Sequence, residues 1–308
     1  TTGWPTTATF YQQRLFFANN AASPNTVWAS ESGNFETFSP TNNQAEVLDD
    51  SGLDLTLATD QVNAIRWMYG AKQLQLGTSD GPFIMSSGSD NLALTPSNVT
   101  SNRETTDGTT TKKPVGASRA TIFIDRTRTK IRELAYNLEV DGFATPDLTL
   151  IAEHITTGNV KELAYTRSPD SLIWALLDTG QLRCLTYERA QDVVAWHRHT
   201  IGGTNAKVKS IAAIPSFDEL EEQLYMIVER TINGTTKQYV EFLEKSFDQA
   251  KGDTPETAFF MDSGLSYTGT AVTSLSGLSH LEGQTVKILV NGANHPDKVV
   301  SSGSVALD

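Results

Sequence analysis

Cysteine is almost missing from this chain: Cys184 is the only one in 308 residues. An intrachain disulfide is therefore excluded, as is a zinc cluster held by several thiolates. Its neighbours Leu182 and Leu185 mark Cys184 as a buried small hydrophobe rather than a reactive thiol. Long hydrophobic runs are also lacking. No stretch approaches the roughly 18 consecutive apolar residues of a membrane helix, and the opening TTGWPTTATF has no basic-then-apolar signal pattern. Basic charge is scarce: 24 Lys and Arg against 36 Asp and Glu leave a net charge of -12. That balance disfavours tight binding to nucleic acid, which needs basic surface to displace counterions from phosphates. It suits a surface past which DNA must slide without sticking. No P-loop, H-E-x-x-H or EF-hand spacing occurs. The chain reads as soluble and made in a reducing compartment. It opens on Thr1 and stops at SGSVALD, which reads as a piece of a longer polypeptide.

What the chain does have is β periodicity. Short runs rich in Val, Ile, Thr and aromatics, such as AIRWMYGAKQLQLGTSDGPFIM and ATIFIDRTRTKIRELAY, are separated by Gly, Asn, Asp, Ser and Pro. Helical candidates are few. TPDLTLIAEHI (145–155) places Pro146 and Asp147 at a start, with Leu148, Ile151 and Ile155 at helical spacing. YVEFLEKSFDQA (239–250) reads as a strand fraying into a helical turn. The strand runs fall into five groups, over 8–38, 62–86, 119–137, 160–200 and 208–245, the recurrence expected of propeller blades. Arg132–Tyr136 (RELAY) and Lys161–Tyr165 (KELAY) echo each other, at a spacing too short for a full blade. The fold expectation is mainly β: a β-propeller-like domain of four-stranded antiparallel blades over 1–250, then a small β-barrel or sandwich module over 251–308, incomplete here.

The fourth group carries the clearest hairpins and the main chemical question. A turn at Asp178-Thr179-Gly180 and a polar turn over Glu188 to Asp192 separate three strands, the last being VVAWHRHT. In it Val194, Trp196 and Arg198 share one face, and Val193, Ala195, His197 and His199 the other. His197 and His199 are thus the metal candidates. A zinc site needs a third ligand and orienting partners; the sequence supplies only the distant His154, so a framework role is favoured over metal binding, catalysis or pH sensing.

Other constellations have bland readings beside the sharp ones. Asp49-Asp50 before SGLDLTLATDQ is a cation candidate, but DDSG is ordinary turn chemistry. Asp141, Asp147 and Glu153 are candidates for a glycosidase carboxylate pair. Trp28, Trp67, Trp174 and Trp196 could line a sugar cleft, yet all sit in strand-like runs where core packing is expected. The polar loop ETTDGTTTKK (104–113) reads as mobile and projecting, with an inter-subunit contact as the sharper alternative. No catalytic residue and no cofactor is assigned.

Two runs are more specific: RELAYNLEVDGFATPDLTLIAEH (132–154), and P-D-S-x-x-W followed by L-T-Y-x-R-x-Q-x-V-x-A-W-H-R-H (169–199). With FYQQRLFFANN, TVWASESGNFETF and LATDQVNAIRWM, they make the chain resemble the bacteriophage tail nozzle, or tail tubular protein B, family over roughly residues 8–245. GLSHLEGQTVKILVNGANHPDKVVSSGSVAL (277–307) is similar to a small β module of phage tail proteins. There Gly283 and Asn291-Gly292 are the turn formers, and Val286, Ile288 and Val290 the buried face.

The resemblance implies a virion structural protein without enzymatic activity. It implies a ring of six copies around the DNA ejection channel, closed distally before infection. Neighbouring adaptor or tail-tube components, and fibre or tip proteins, would be its partners, and DNA would pass without sequence-specific binding. The location would be the virion tail after synthesis in the host cytoplasm. The alternative is a carbohydrate-binding or carbohydrate-cleaving propeller used in receptor recognition or as a depolymerase, because a propeller fold does not fix function. A third is a plain adaptor, marked by an exposed apolar patch.

Overall fold

The structure, a computed structural model, describes residues 3–59, 61–88, 92–203, 205–217, 221–244, 247, 252, 254 and 262–308. It is mainly β and β-propeller-like, built from four-stranded antiparallel sheets in chain order. Two compact units are present, Thr1–Tyr165 and Thr166–Asp308. The expected boundary at 250/251 falls on residues outside the described set, as does most of the helical turn expected within 239–250.

Unit 1 holds three such sheets. The first is β1 (Thr7–Tyr11), β2 (Arg14–Ala18), β3 (Thr26–Ala29) and β4 (Leu53–Thr56). The second is β5 (Ile65–Gly70), β6 (Leu74–Thr78), β7 (Gly81–Ser86) and β8 (Thr100–Arg103). The third is β9 (Val115–Ala117), β10 (Ala120–Ile124), β11 (Ile131–Asn137) and β12 (Gly142–Ala144). Burial distinguishes the central strands. In β6, β7 and β10 nearly every residue is buried, as in strands covered on both faces, whereas β2 alternates.

The core lies between successive sheets. Phe16, Val27, Leu74, Leu76 and Met85 form one cluster, and Trp67, Ile84, Phe123 and Leu134 the next. Each such side chain contributes about 1.5–3 kcal/mol on burial.

The structure departs from the expected elements in three places. The first two blades extend beyond residues 38 and 86, because 31–38 turns at Gly33 (φ 74°) and the fourth strands are Leu53–Thr56 and Thr100–Arg103. The helix expected over 145–155 is absent; only a 3-10 turn, Glu153–Thr156, forms. Sheet pairing outcompetes helix there. Glu133 N–H donates to the Pro146 carbonyl and Leu148 N–H to Ile131, while the Asp147 carboxylate accepts from Thr149 N–H at 2.8 Å in an Asx turn. The 104–113 loop is tied down rather than projecting. Thr109 is fully buried and bridges to Asp125, and Asp107 pairs with Arg132 at 3.1 Å.

In unit 2, β14 (Leu172–Leu177), β15 (Leu182–Glu188) and β16 (Val193–His199) form an antiparallel run, preceded by β13 (Val160–Thr166), which spans the unit boundary. β17 (Lys207–Pro215), β18 (Glu222–Ile232) and β19 (Thr235–Phe242) form a three-stranded sheet. Then β20 (Ser274–Ser276) pairs with β23 (Ser304–Ala306), and β21 (Thr285–Val290) with β22 (Ala293–Val299).

The β21–β22 turn is the expected Asn291-Gly292, both residues left-handed as a two-residue hairpin requires. Val286 and Ile288 pack on Leu278, Val300 and Val305. Val290 does not: it stands beside the turn and is exposed, a correction to the expected buried triplet.

Candidate functional site

The expected turns of the fourth group form, and their register builds a cluster. Gly180 (φ 84°) closes the β14–β15 turn by donating to the Leu177 carbonyl. A single 3-10 turn, Arg189–Gln191, ends on Asp192 in left-handed conformation and delivers Val193 opposite Glu188. Counting back along that hairpin sets Cys184 opposite His197 and Leu182 opposite His199. Directly opposed residues share a face, and so do residues two apart. Cys184, His197 and His199 therefore point the same way, and Trp174, opposite Cys184 on β14, joins them.

The contacts are close. His199 Nε2 lies 3.0 Å from His197 Nδ1, with ring centroids 4.9 Å apart. One donor atom from each of Cys184, His197 and His199 lies within 4.8 Å of the others. Trp174 meets the His199 ring edge-on at 4.8 Å while its indole N–H donates to Thr166 Oγ1 at 3.1 Å. Cys184 is fully buried and both histidines are partly so.

Burial sets the charge states. It pushes the Cys184 thiol up to about 12. Burial, with His197 alongside, pushes His199 down to about 4, and burial lowers His197 too. Both rings are neutral at pH 7 with lone pairs to offer. Burial thus works against a charged form of either ring. The expected same-face placement of the histidines holds, and Cys184 is the buried residue expected. The sequence reading missed that Cys184 lies beside the two histidines, although the signal was present: hairpin register counted from Glu188–Asp192 places it there.

The remaining candidates are occupied by the framework. His154 lies in the 3-10 turn of unit 1, outside this cluster. The Asp49-Asp50 segment is a turn gripping an internal cation: the buried Arg14 guanidinium donates to the carbonyls of Asp49, Ser51 and Ser30, each at 2.7 Å. Asp141 accepts from the Tyr136 hydroxyl. Asp147 is held by Thr149 and pairs with Lys130 at 2.9 Å. Glu153 opens the short 3-10 turn. Trp67 and Trp174 are core residues, while Trp28 and Trp196 are half-buried. A G-x-S-x-G spacing at Gly77–Gly81 escaped the sequence reading. It is the β6–β7 turn, strand to strand, and not the strand-to-helix elbow that exposes a nucleophile.

No protein-family model matches the sequence, and no curated protein matches it. Solved structures do. The Dos1 propeller is similar at 11% identity and TM-score 0.39, over 89% of this chain and 61% of that one. A candidate 6-phosphogluconolactonase from Bacteroides fragilis matches at 9% identity and TM-score 0.39, over 79% and 74%. A luciferin-regenerating enzyme matches at 8% identity and TM-score 0.28, over 70% and 80%. With enzymes by name among these structures, the expectation of a chain without enzymatic activity is corrected. At such identities the likeness concerns fold and assigns no reaction to this chain. Among the described residues no helix is long and apolar enough to cross a membrane, which says nothing of β-barrels.

Proposed function

We propose that this chain is a subunit of a bacteriophage tail of the nozzle type, assembling with copies of itself into a ring around the DNA ejection channel. One observation of the fold supports an assembling protein above all: the outer face of the β17–β19 sheet. Its inner face is conventional, with Val208, Ile211, Leu224, Met226 and Val228 buried. The outer face carries Ile214, Ile227, Val240 and Phe242, all exposed, with Val240 directly opposite Ile227 and Phe242 opposite Tyr225. Adjacent exposed apolar side chains on one sheet face mark a surface that another protein covers. The acidic balance of the chain fits a channel wall that repels phosphate.

The test is the assembly state, by native mass measurement and negative-stain imaging, with and without the neighbouring tail component. A closed ring with a central channel supports the proposal, and Val240→Glu, at a site 77% exposed, then breaks the ring without unfolding the chain. A chain that stays monomeric with its neighbour overturns it.

A further inference from the structure

We propose that Cys184, His197 and His199 form a binding site for one zinc-class transition-metal ion. The inference goes beyond the assembly reading and does not depend on it. Its basis is the convergence of one sulfur and two nitrogen donors, from two strands of one hairpin, on a single face. This is a donor set for borderline-soft metals and not for calcium or magnesium, which take oxygen.

The geometry asks for little movement. With metal–nitrogen bonds of about 2.0–2.1 Å, a tetrahedral ion needs its two nitrogens about 3.3 Å apart. His197 Nδ1 and His199 Nε2 are 3.0 Å apart, so the rings open by a few tenths of an ångström. A metal–sulfur bond of about 2.3 Å places sulfur about 3.6 Å from each nitrogen. The donors all lie within 4.8 Å, so closure takes about an ångström, within the reach of side-chain torsions.

The cluster's surroundings favour a fixed site. Trp174 packs against the His199 ring and is itself anchored through Thr166, which limits ring rotation. His197 lies on the outer strand of the β14–β16 run, and partial exposure of both rings leaves a path for an ion. On binding, the thiol gives its proton to solvent, the proton shared in the His197–His199 hydrogen bond moves to the other nitrogen of its own ring, the thiolate sulfur and the two freed imidazole nitrogens donate lone pairs to the ion, and no electron changes hands. The three protein ligands leave a fourth position of a tetrahedron for water or another ligand, the arrangement of zinc sites that keep an open coordination place.

The experiment is a cobalt(II) titration of the whole chain after chelator treatment, read by absorption. The expected result is one cobalt per chain, with a near-ultraviolet thiolate-to-cobalt band and the visible bands of a tetrahedral ion, all displaced by zinc(II). Cys184→Ser removes the thiolate band. His197→Gln, at a partly exposed position that leaves the core intact, weakens binding at least about tenfold. Circular dichroism checks that both variants fold; if the Cys184 variant does not, the His197 variant decides alone. Absence of cobalt binding at micromolar protein overturns the proposal, and so does binding whose spectrum and affinity survive His197→Gln unchanged.

Discussion

Replacing Asp147 separates a structural carboxylate from a catalytic one. Its Oδ1 accepts Thr149 N–H at 2.8 Å and the Thr149 hydroxyl at 2.5 Å, and its Oδ2 faces Lys130 Nζ at 2.9 Å. The side chain is only 9% exposed, and the residue bridges to Arg132 on β11. Asp147→Ala removes two hydrogen bonds to a charged acceptor and leaves a backbone N–H unpaired, a cost of about 2–4 kcal/mol. Asp147→Asn keeps the amide oxygen for the turn and loses the ion pair with the partly exposed Lys130, a cost of about 1 kcal/mol. Urea unfolding followed by tryptophan fluorescence reads both. The pH profile has a definite sign. Burial works to raise the Asp147 carboxyl, but the bonds from Thr149 and Lys130 outweigh it and hold the carboxyl below its ordinary value. A group depressed in the folded state stabilises above its unfolded pKa, and that stability is lost as the pH falls through the folded value. The wild type therefore loses stability below about pH 4 that Asp147→Asn does not have to lose. An alanine variant within about 0.5 kcal/mol of wild type refutes this account, as does an asparagine variant as costly as alanine.

Two further substitutions test how the blades are held. Arg14→Ala strips the donor shared by the carbonyls of Ser30, Asp49 and Ser51, and is expected to cost about 2–4 kcal/mol, since hydrogen bonds from a charged donor are lost and buried carbonyls are left unpaired. Arg14→Lys recovers only part of it, and proteolysis within 45–52 should rise in both variants. A Cβ at Gly77 would stand 2.0 Å from Cε2 of Trp67, its direct cross-strand partner. Gly77→Ala is expected to cost at least about 1–3 kcal/mol by overpacking, and a second change, Trp67→Leu, should recover part of that; unfolding free energies of the single and double variants decide.

Strand existence was legible because burial on one or both faces writes itself into the residues. The β-rich runs at β6, β7 and β10 correspond to observed strands, and three of the five expected groups, 119–137, 160–200 and 208–245, lie close to the bounds of observed sheets. The errors share one cause. Pro146, Asp147 and the spacing of Leu148, Ile151 and Ile155 describe a helix only if the segment is free to choose. It is not free, because Ile131 and Glu133 of β11 offer backbone partners, and Ile151 ends 88% exposed. Likewise the composition of 104–113 is that of a loose loop, yet Thr109 and Asp107 find partners just after β10 and on β11 that no local reading contains.

The same distinction governs the chemistry. The residues that sequence composition singled out as reactive were mostly those whose polar groups the framework consumes. The carbonyls around Asp49-Asp50 hold Arg14, Asp141 holds Tyr136, Asp147 holds its own turn, and Trp67 and Trp174 fill cores. Cys184 was discounted for the opposite reason: a lone cysteine between leucines is, on local grounds, a hydrophobe. Both judgements weigh a residue against its sequence neighbours, whereas a site is made of neighbours across strands. The turn at Glu188–Asp192 converts one into the other, since a hairpin of fixed register makes residue 184 a neighbour of 197 as surely as 195 and 199 are. A slip of one residue in that turn would send the histidines and the thiol to opposite faces. Asp192 and its left-handed backbone thus belong to the candidate site as much as the donors do.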